Sequence, residues 1–212
     1  MAAYDLQEQE QIANIKAFWK SWGTPILVAL LAAVAVIVGS KLWHGYQLKQ
    51  AEAASDRYFQ LEESVRTGKP EDAVKLVAGL RNDFHATPYA TRGSLLIAQQ
   101  AMARKDYKLA REQLQWVISN AKEPDLADLA RLRMAAILLD EKRYPEALKA
   151  IEAKPDDAYM ALYAEMRGDI LLAQGKLPEA AKAFEIAINK VEKQSIQYSL
   201  LQMKMDSLGY GK

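Results

Sequence analysis

From Ser21 to Ser40 the chain carries no charged residue, and Ile26 through Val38 is an unbroken apolar run. About twenty helical residues rise roughly 30 Å, the thickness of a bilayer's hydrocarbon core, so Ser21 to Ser40 is predicted as a transmembrane helix. Beyond it the pattern changes. Apolar residues recur at three- and four-residue intervals, and no stretch alternates with a period of two, so the remainder is predicted to be helical throughout. The expected fold class is all-α, with residues 1–20 a short N-terminal segment, 21–40 the membrane helix and 41–212 a helical domain.

The flanks fit an anchor. Trp19 and Trp22 stand on one side of the span and Trp43 and Tyr46 on the other, where amphipathic rings favour the headgroup layer. Lys16, Lys20 and Lys41 can reach the interface by snorkelling, and Pro25 is expected in the first turn of the span, where its missing N–H costs least. A cleaved signal peptide would begin with a short basic region, whereas Asp5, Glu8 and Glu10 precede this run. Lys16 and Lys20 before the span nearly balance Lys41 and Lys49 after it, so charge leaves the orientation open.

A repeat runs through the tail. Its clearest unit places Gly168, Leu171, Gly175, Ala180, Phe184 and Ala187 at the small, large, turn, small, aromatic and small positions of a two-helix unit. Ala135, Leu138, Tyr144, Ala147 and Ile151 repeat the skeleton, as do Ala98, Ala101, Tyr107, Ala110, Leu114 and Val117. A weaker unit has Leu61, Gly68, Pro70, Ala73, Val77 and Leu80. The anchoring alanines at 73, 110, 147 and 180 are 37, 37 and 33 residues apart. That resembles the tetratricopeptide repeat period of about 34 and implies a tetratricopeptide-like (TPR-like) α-solenoid. Ser195 to Leu208, with Ile196, Leu200 and Met203 in helical spacing, is expected as the C-terminal capping helix. Tyr46 to about Glu63 is expected to continue the membrane helix into the first helix of the array.

Repeat arrays of this kind present a groove lined by the first helix of each pair. Projected repeat offsets place Leu95, Met102, Leu129, Leu132, Leu139, Leu162 and Leu172 along it, with Tyr58, Arg92, Gln99, Glu165 and Asp169 interspersed. Two readings stay open: a surface for unfolded segments or a partner helix, or a groove filled by the C-terminal helix through Leu200 and Met203.

Composition narrows the function. The formal net charge of +1, from 28 basic and 27 acidic residues, offers no footprint for a phosphate backbone, so no nucleic-acid partner is expected. Absence of cysteine excludes disulfides, thiolate catalysis and a lipid-modified cysteine anchor. His44 and His85 are isolated, and Glu62-Glu63 and Asp156-Asp157 are adjacent pairs that cannot share a helix face. No phosphate loop, nucleophile elbow or HExxH pattern occurs, so no catalytic, metal or cofactor residue is assigned.

The segment Gln11-Ile12-Ala13-Asn14-Ile15-Lys16-Ala17-Phe18-Trp19-Lys20, then Lys41-Leu42-Trp43, Ala54-Ser55 with Tyr58, Met166 to Gly175 (Met-Arg-Gly-Asp-Ile-Leu-Leu-Ala-Gln-Gly) and Leu201-Gln202-Met203-Lys204-Met205 together resemble the YfgM family. The resemblance covers nearly the whole chain; the Gly-Tyr-Gly-Lys extension and the divergent middle repeats depart from it. It implies an ancillary subunit of the bacterial SecYEG translocon, anchored in the inner membrane with the N-terminus cytoplasmic and a periplasmic TPR-like domain. The partners it implies are SecYEG and the membrane-anchored chaperone PpiD, with emerging, unfolded secretory proteins as clients. The competing readings are an envelope scaffold unrelated to secretion and a cytoplasmic adaptor of inverted topology.

Overall fold

The computed structural model describes residues 2–209, with side chains described from residue 11 onward. The side chains of Asp5, Glu8 and Glu10, and the last three residues of the C-terminal extension, lie outside that range. Among the described residues are nine α-helices and no strand: α1 (Ala2–Arg66), α2 (Pro70–Asp83), α3 (Pro88–Ala103), α4 (Tyr107–Asn120), α5 (Pro124–Asp140), α6 (Tyr144–Ala150), α7 (Met160–Ala173), α8 (Leu177–Ile188) and α9 (Ile196–Ser207). The chain divides into two compact units, Met1–Gln50 and Ala51–Lys212.

In the first unit α1 is free of charge from Ser21 to Ser40 and apolar on every side of that stretch. Leu27, Leu30, Leu31, Val34 and Ile37 are all exposed, and none of the apolar stretch is buried within the protein. This is the one helix among the described residues long and apolar enough to cross a membrane. At the ends of the stretch Ser21 donates its hydroxyl to the Ala17 carbonyl (3.0 Å) and Ser40 to that of Ile37 (2.8 Å). Neither hydroxyl is left unsatisfied in an apolar surrounding. Pro25 does not sit in a first turn: α1 starts at Ala2, so the proline is interior and leaves the Ser21 carbonyl without its helical donor.

In the second unit the C-terminal part of α1 pairs with α2, α3 with α4, α5 with α6 and α7 with α8, and α9 packs on α8. The repeat skeleton accounts for this packing. Ala73, Ala110, Ala147 and Ala180 are all buried, as are Val77, Leu114, Ile151 and Phe184 four positions later. A Cβ built on Gly168 would lie 2.4 Å from Phe184 Cε1, so the glycine is what lets α7 and α8 close around that ring. The turns between paired helices are copies of one another. Gly68, Lys105, Lys142 and Gly175 take positive φ (72°, 60°, 60° and 76°). The next residue in each turn donates its N–H five positions back, as Lys69 to Ser64, Asp106 to Ala101, Arg143 to Leu138 and Lys176 to Leu171. These are Schellman caps, which satisfy carbonyls orphaned at a helix end.

The third pair departs from the pattern. Seven positions beyond the anchoring alanine stand Leu80, Val117 and Ala187 in the other units, all buried, but Lys154 in this one. A charged residue cannot take that interior place, and Pro155 disfavours helix in the residue before it. Helix α6 therefore stops at Ala150, and an irregular segment leads through a 3-10 turn at Asp157–Tyr159 into α7. Asp128 fastens this segment. Only 3% exposed, its carboxylate accepts from the Tyr163 hydroxyl (3.0 Å), the Asp156 N–H (2.9 Å) and Arg131 (2.9 Å). Burial, reinforced by the hydrogen bond to Asp128, pushes the Tyr163 phenol well above its ordinary value.

Candidate binding groove

Helix α3 packs on α5 and α5 on α7, so the first helices of successive pairs form a continuous layer. The repeat period sets the register of its outer face. Arg92, Leu96 and Gln99 on α3 correspond to Leu129, Arg133 and Ala136 on α5 and to Leu162, Met166 and Asp169 on α7. None of these nine side chains is fully buried, whereas most of the positions between them pack inward, Arg131, Glu165 and Arg167 being the exceptions.

The candidate residues fall into three groups. Arg92, Gln99 and Leu162 are exposed and open to a ligand. Tyr58, Met102, Leu129 and Leu139 are half-buried, with the Tyr58 ring 5.7 Å from that of Tyr89. Burial, aided by neighbouring Glu62, raises the Tyr58 phenol and keeps it a neutral hydrogen-bonding group. Leu95 and Leu132, each 8% exposed, belong to the core between the first helices and form the floor. Glu165 and Asp169 lie under α9, and Leu172 is half-buried against the core of the last repeat.

Helix α9 closes the last repeat. Ser195 caps it, accepting from the Tyr198 N–H at 3.1 Å. Leu201 is fully buried against Ala164, Phe184 and Ala187, and Met205 and Leu208 extend the contact. Lys204 reaches Glu165 (2.8 Å) and Asp169 (2.7 Å) and lies 5.5 Å from the centre of the Phe184 ring, while Gln197 donates to Glu165 (3.2 Å). Burial works against the Lys204 charge, but its bonds to Asp169 and Glu165 outweigh burial and raise its value. At Asp169 the balance is opposite: burial raises the carboxyl despite Lys204. The ammonium is thus held by two carboxylates, of which Asp169 is only partly compensated for its burial. Of the two readings left open, the one in which Leu200 and Met203 fill the groove is not met, because both are exposed (47% and 61%) on the outer face of α9. That helix covers the α7 end through Leu201, Lys204, Met205 and Leu208, and leaves Arg92, Gln99, Leu129 and Leu162 uncovered by its contacts.

Projection of the motif offsets missed Tyr89, Leu96, Arg133 and Met166. The 37- and 33-residue spacings carry Leu96 onto Arg133 and Met166, and that signal would have found those three, whereas Tyr89 is joined to the face only by its ring contact with Tyr58. Among the described residues no three His, Cys, Asp or Glu side chains converge as metal ligands would. What the face offers is apolar area, two guanidinium groups and amide hydrogen bonding.

Fold and groove together define a membrane-anchored tetratricopeptide repeat-like protein, and a family profile for the tetratricopeptide repeat-like domain matches residues 16–210. The solved structure of MamA (41-end) from Desulfovibrio magneticus RS-1 has the same fold, with a TM-score of 0.52 at 18% identity over 76% of this chain and 89% of that one. Full-length relatives narrow the class. Proteins named ancillary SecYEG translocon subunit are 30% identical in Neisseria gonorrhoeae over 98% of this chain and all of the relative, 26% in Escherichia coli K12 over 95% and 96%, and 27% in Haemophilus influenzae over 97% and all of the relative. The chain belongs to the family of ancillary SecYEG translocon subunits, as its resemblance to YfgM implies.

Proposed function

We propose that this chain is a single-pass inner-membrane accessory subunit of the Sec translocon, with a binding rather than a catalytic role. The N-terminus lies in the cytoplasm and the repeat domain in the periplasm, where its groove engages SecYEG, a PpiD-like anchored chaperone and unfolded secretory proteins as they emerge. Family membership supports the translocon. The observation that carries the binding role is the stripe Arg92, Leu129 and Leu162, left uncovered by α9 and mixing apolar area with a cation. A sequence-tolerant binder of extended apolar segments uses such a surface. Photocrosslinkers at Leu129 and Leu162 during active secretion test it. Adducts with nascent secretory chains and translocon subunits are expected. Adducts with partner subunits alone would make the chain an assembly factor, and adducts with neither would remove the groove from the function.

A further inference from the structure

Each junction between successive helix pairs forms a cleft on the side opposite the groove, and the clefts are built from equivalent positions. At the second junction α4 runs alongside, contributing Arg111, Gln115 and Ile118 to a cleft floored by α5 and α6. All but one of its charges are used internally: Arg111 and Arg143 share Glu141, Arg143 also holds Glu146, Arg131 holds Asp128 and Glu112 meets Arg81, which leaves Lys149 without an ion pair among the described residues. At the third junction the covering helix should be α6, but α6 has 7 residues where α4 has 14. Only Pro155, from the irregular segment after α6, lines the cleft that remains, about 360 Å³ in volume. Roughly two turns of covering helix, about 10 Å, are missing.

The floor of the cleft is apolar: Met160, Tyr163, Ala164 and Leu171 from α7, with Ala183 from α8, of which Tyr163, Ala164 and Ala183 are buried. Ile186 is 56% exposed at its rim. Arg167, Lys182 and Lys190 surround it against a single carboxylate, Glu179, and none of the four forms an ion pair among the described residues. We propose that the cleft receives a short helical segment of a partner protein. Its large apolar side chains take the place of the missing half of α6, and flanking Asp or Glu residues pair with Arg167, Lys182 and Lys190. Charge complementarity selects an acidic partner. Concavity selects a segment over a bilayer, because the buried Tyr163 and Ala164 lie below the rim and a flat surface cannot reach them. The site is independent of the groove reading.

The test uses the full chain in phosphatidylcholine nanodiscs and a fluorescein-labelled peptide of about fourteen residues. The peptide carries leucines at helical i, i+3, i+4 and i+7 spacing among glutamates, and a counterpart has lysines in place of the glutamates. Anisotropy titration is expected to favour the acidic peptide by at least about tenfold. The exposed pair Lys182→Glu with Lys190→Glu is expected to reverse that order. Ile186→Asp is expected to abolish binding of both peptides at unchanged helicity, while Leu162→Asp in the groove leaves binding intact. A photocrosslinker at Ile186, in nanodiscs that also hold phosphatidylglycerol, is expected to capture the acidic peptide. Equal affinity for the two peptides, insensitivity to Ile186→Asp, loss on Leu162→Asp, or capture of lipid alone would each overturn the proposal.

Discussion

Two residues fix how closely α7 and α8 approach. Phe184 has no exposed surface and its ring occupies the space that any Cβ on Gly168 would need, 2.4 Å away. Gly168→Ala gains helix propensity of about 1 kcal/mol but overpacks the ring at a cost of about 1–3 kcal/mol. The net expectation is a lower urea midpoint for the full chain in detergent, partly restored by adding Phe184→Leu; an unchanged midpoint for the single variant would refute the close-approach argument. The turns make the opposite case. Lys105 and Lys142 hold the left-handed conformation that glycine supplies in the equivalent turns at Gly68 and Gly175. The penalty for a side chain there is about 1 kcal/mol. Lys142→Gly is therefore expected to raise the thermal midpoint and Gly175→Ala to lower it, the pair measured side by side by circular dichroism. Glycine marked two of the four turns in the sequence. The two lysines were not legible, because only the backbone's repetition of the Schellman bonds imposes their conformation.

At the scale of elements, the helices and the repeat were legible because each buried position recurs at fixed spacing, from Ala73 to Ala180. What escaped were events that break the repeat. Lys154 and Pro155 shorten α6, and α9 turns Leu201 and Lys204 inward rather than Leu200 and Met203. A twelve-residue helix with apolar residues on two sides has no periodicity strong enough to say which side docks; tertiary contacts decide it. The docked side depends on Lys204. Lys204→Met leaves Glu165 and the burial-raised Asp169 facing each other without a cation, and is expected to cost about 1 kcal/mol after allowing for solvent screening. The lysine's value is raised in the folded state, so its contribution is complete below the ordinary lysine value and lost as pH rises through the raised one. Because the chain has no cysteine, a single Met203→Cys carries one fluorophore on the exposed side of α9. Its anisotropy should stay constant through neutral pH and fall only beyond the usual lysine range. Adding Lys204→Met should give the low value throughout, and a fall at neutral pH with Lys204 intact would refute the role of Lys204 in docking α9.

For the whole molecule the anchor was the most legible feature and its direction the least. A bilayer imposes a length and an absence of charge that Ser21–Ser40 meets without reference to any neighbour. Direction is set by a difference in flanking cations, and Lys16 and Lys20 against Lys41 and Lys49 leave almost none. What the proposed groove would engage was hidden for a related reason. A surface that binds many sequences carries apolar area and scattered polar groups, which in one dimension look like any repeat helix. The proposed topology is nonetheless open to a direct measurement in the same cysteine-free background. Ile12 (52% exposed) precedes the span and Ile196 (82% exposed) follows the repeats in sequence, and neither packs in a core, so a cysteine at either should leave the fold intact. With the outer membrane permeabilised and the inner membrane sealed, a charged maleimide that cannot cross a bilayer should label Ile196→Cys at once and Ile12→Cys only after lysis. The reverse order would place the groove in the cytoplasm, out of reach of emerging secretory chains, and with it the client-binding role would fall.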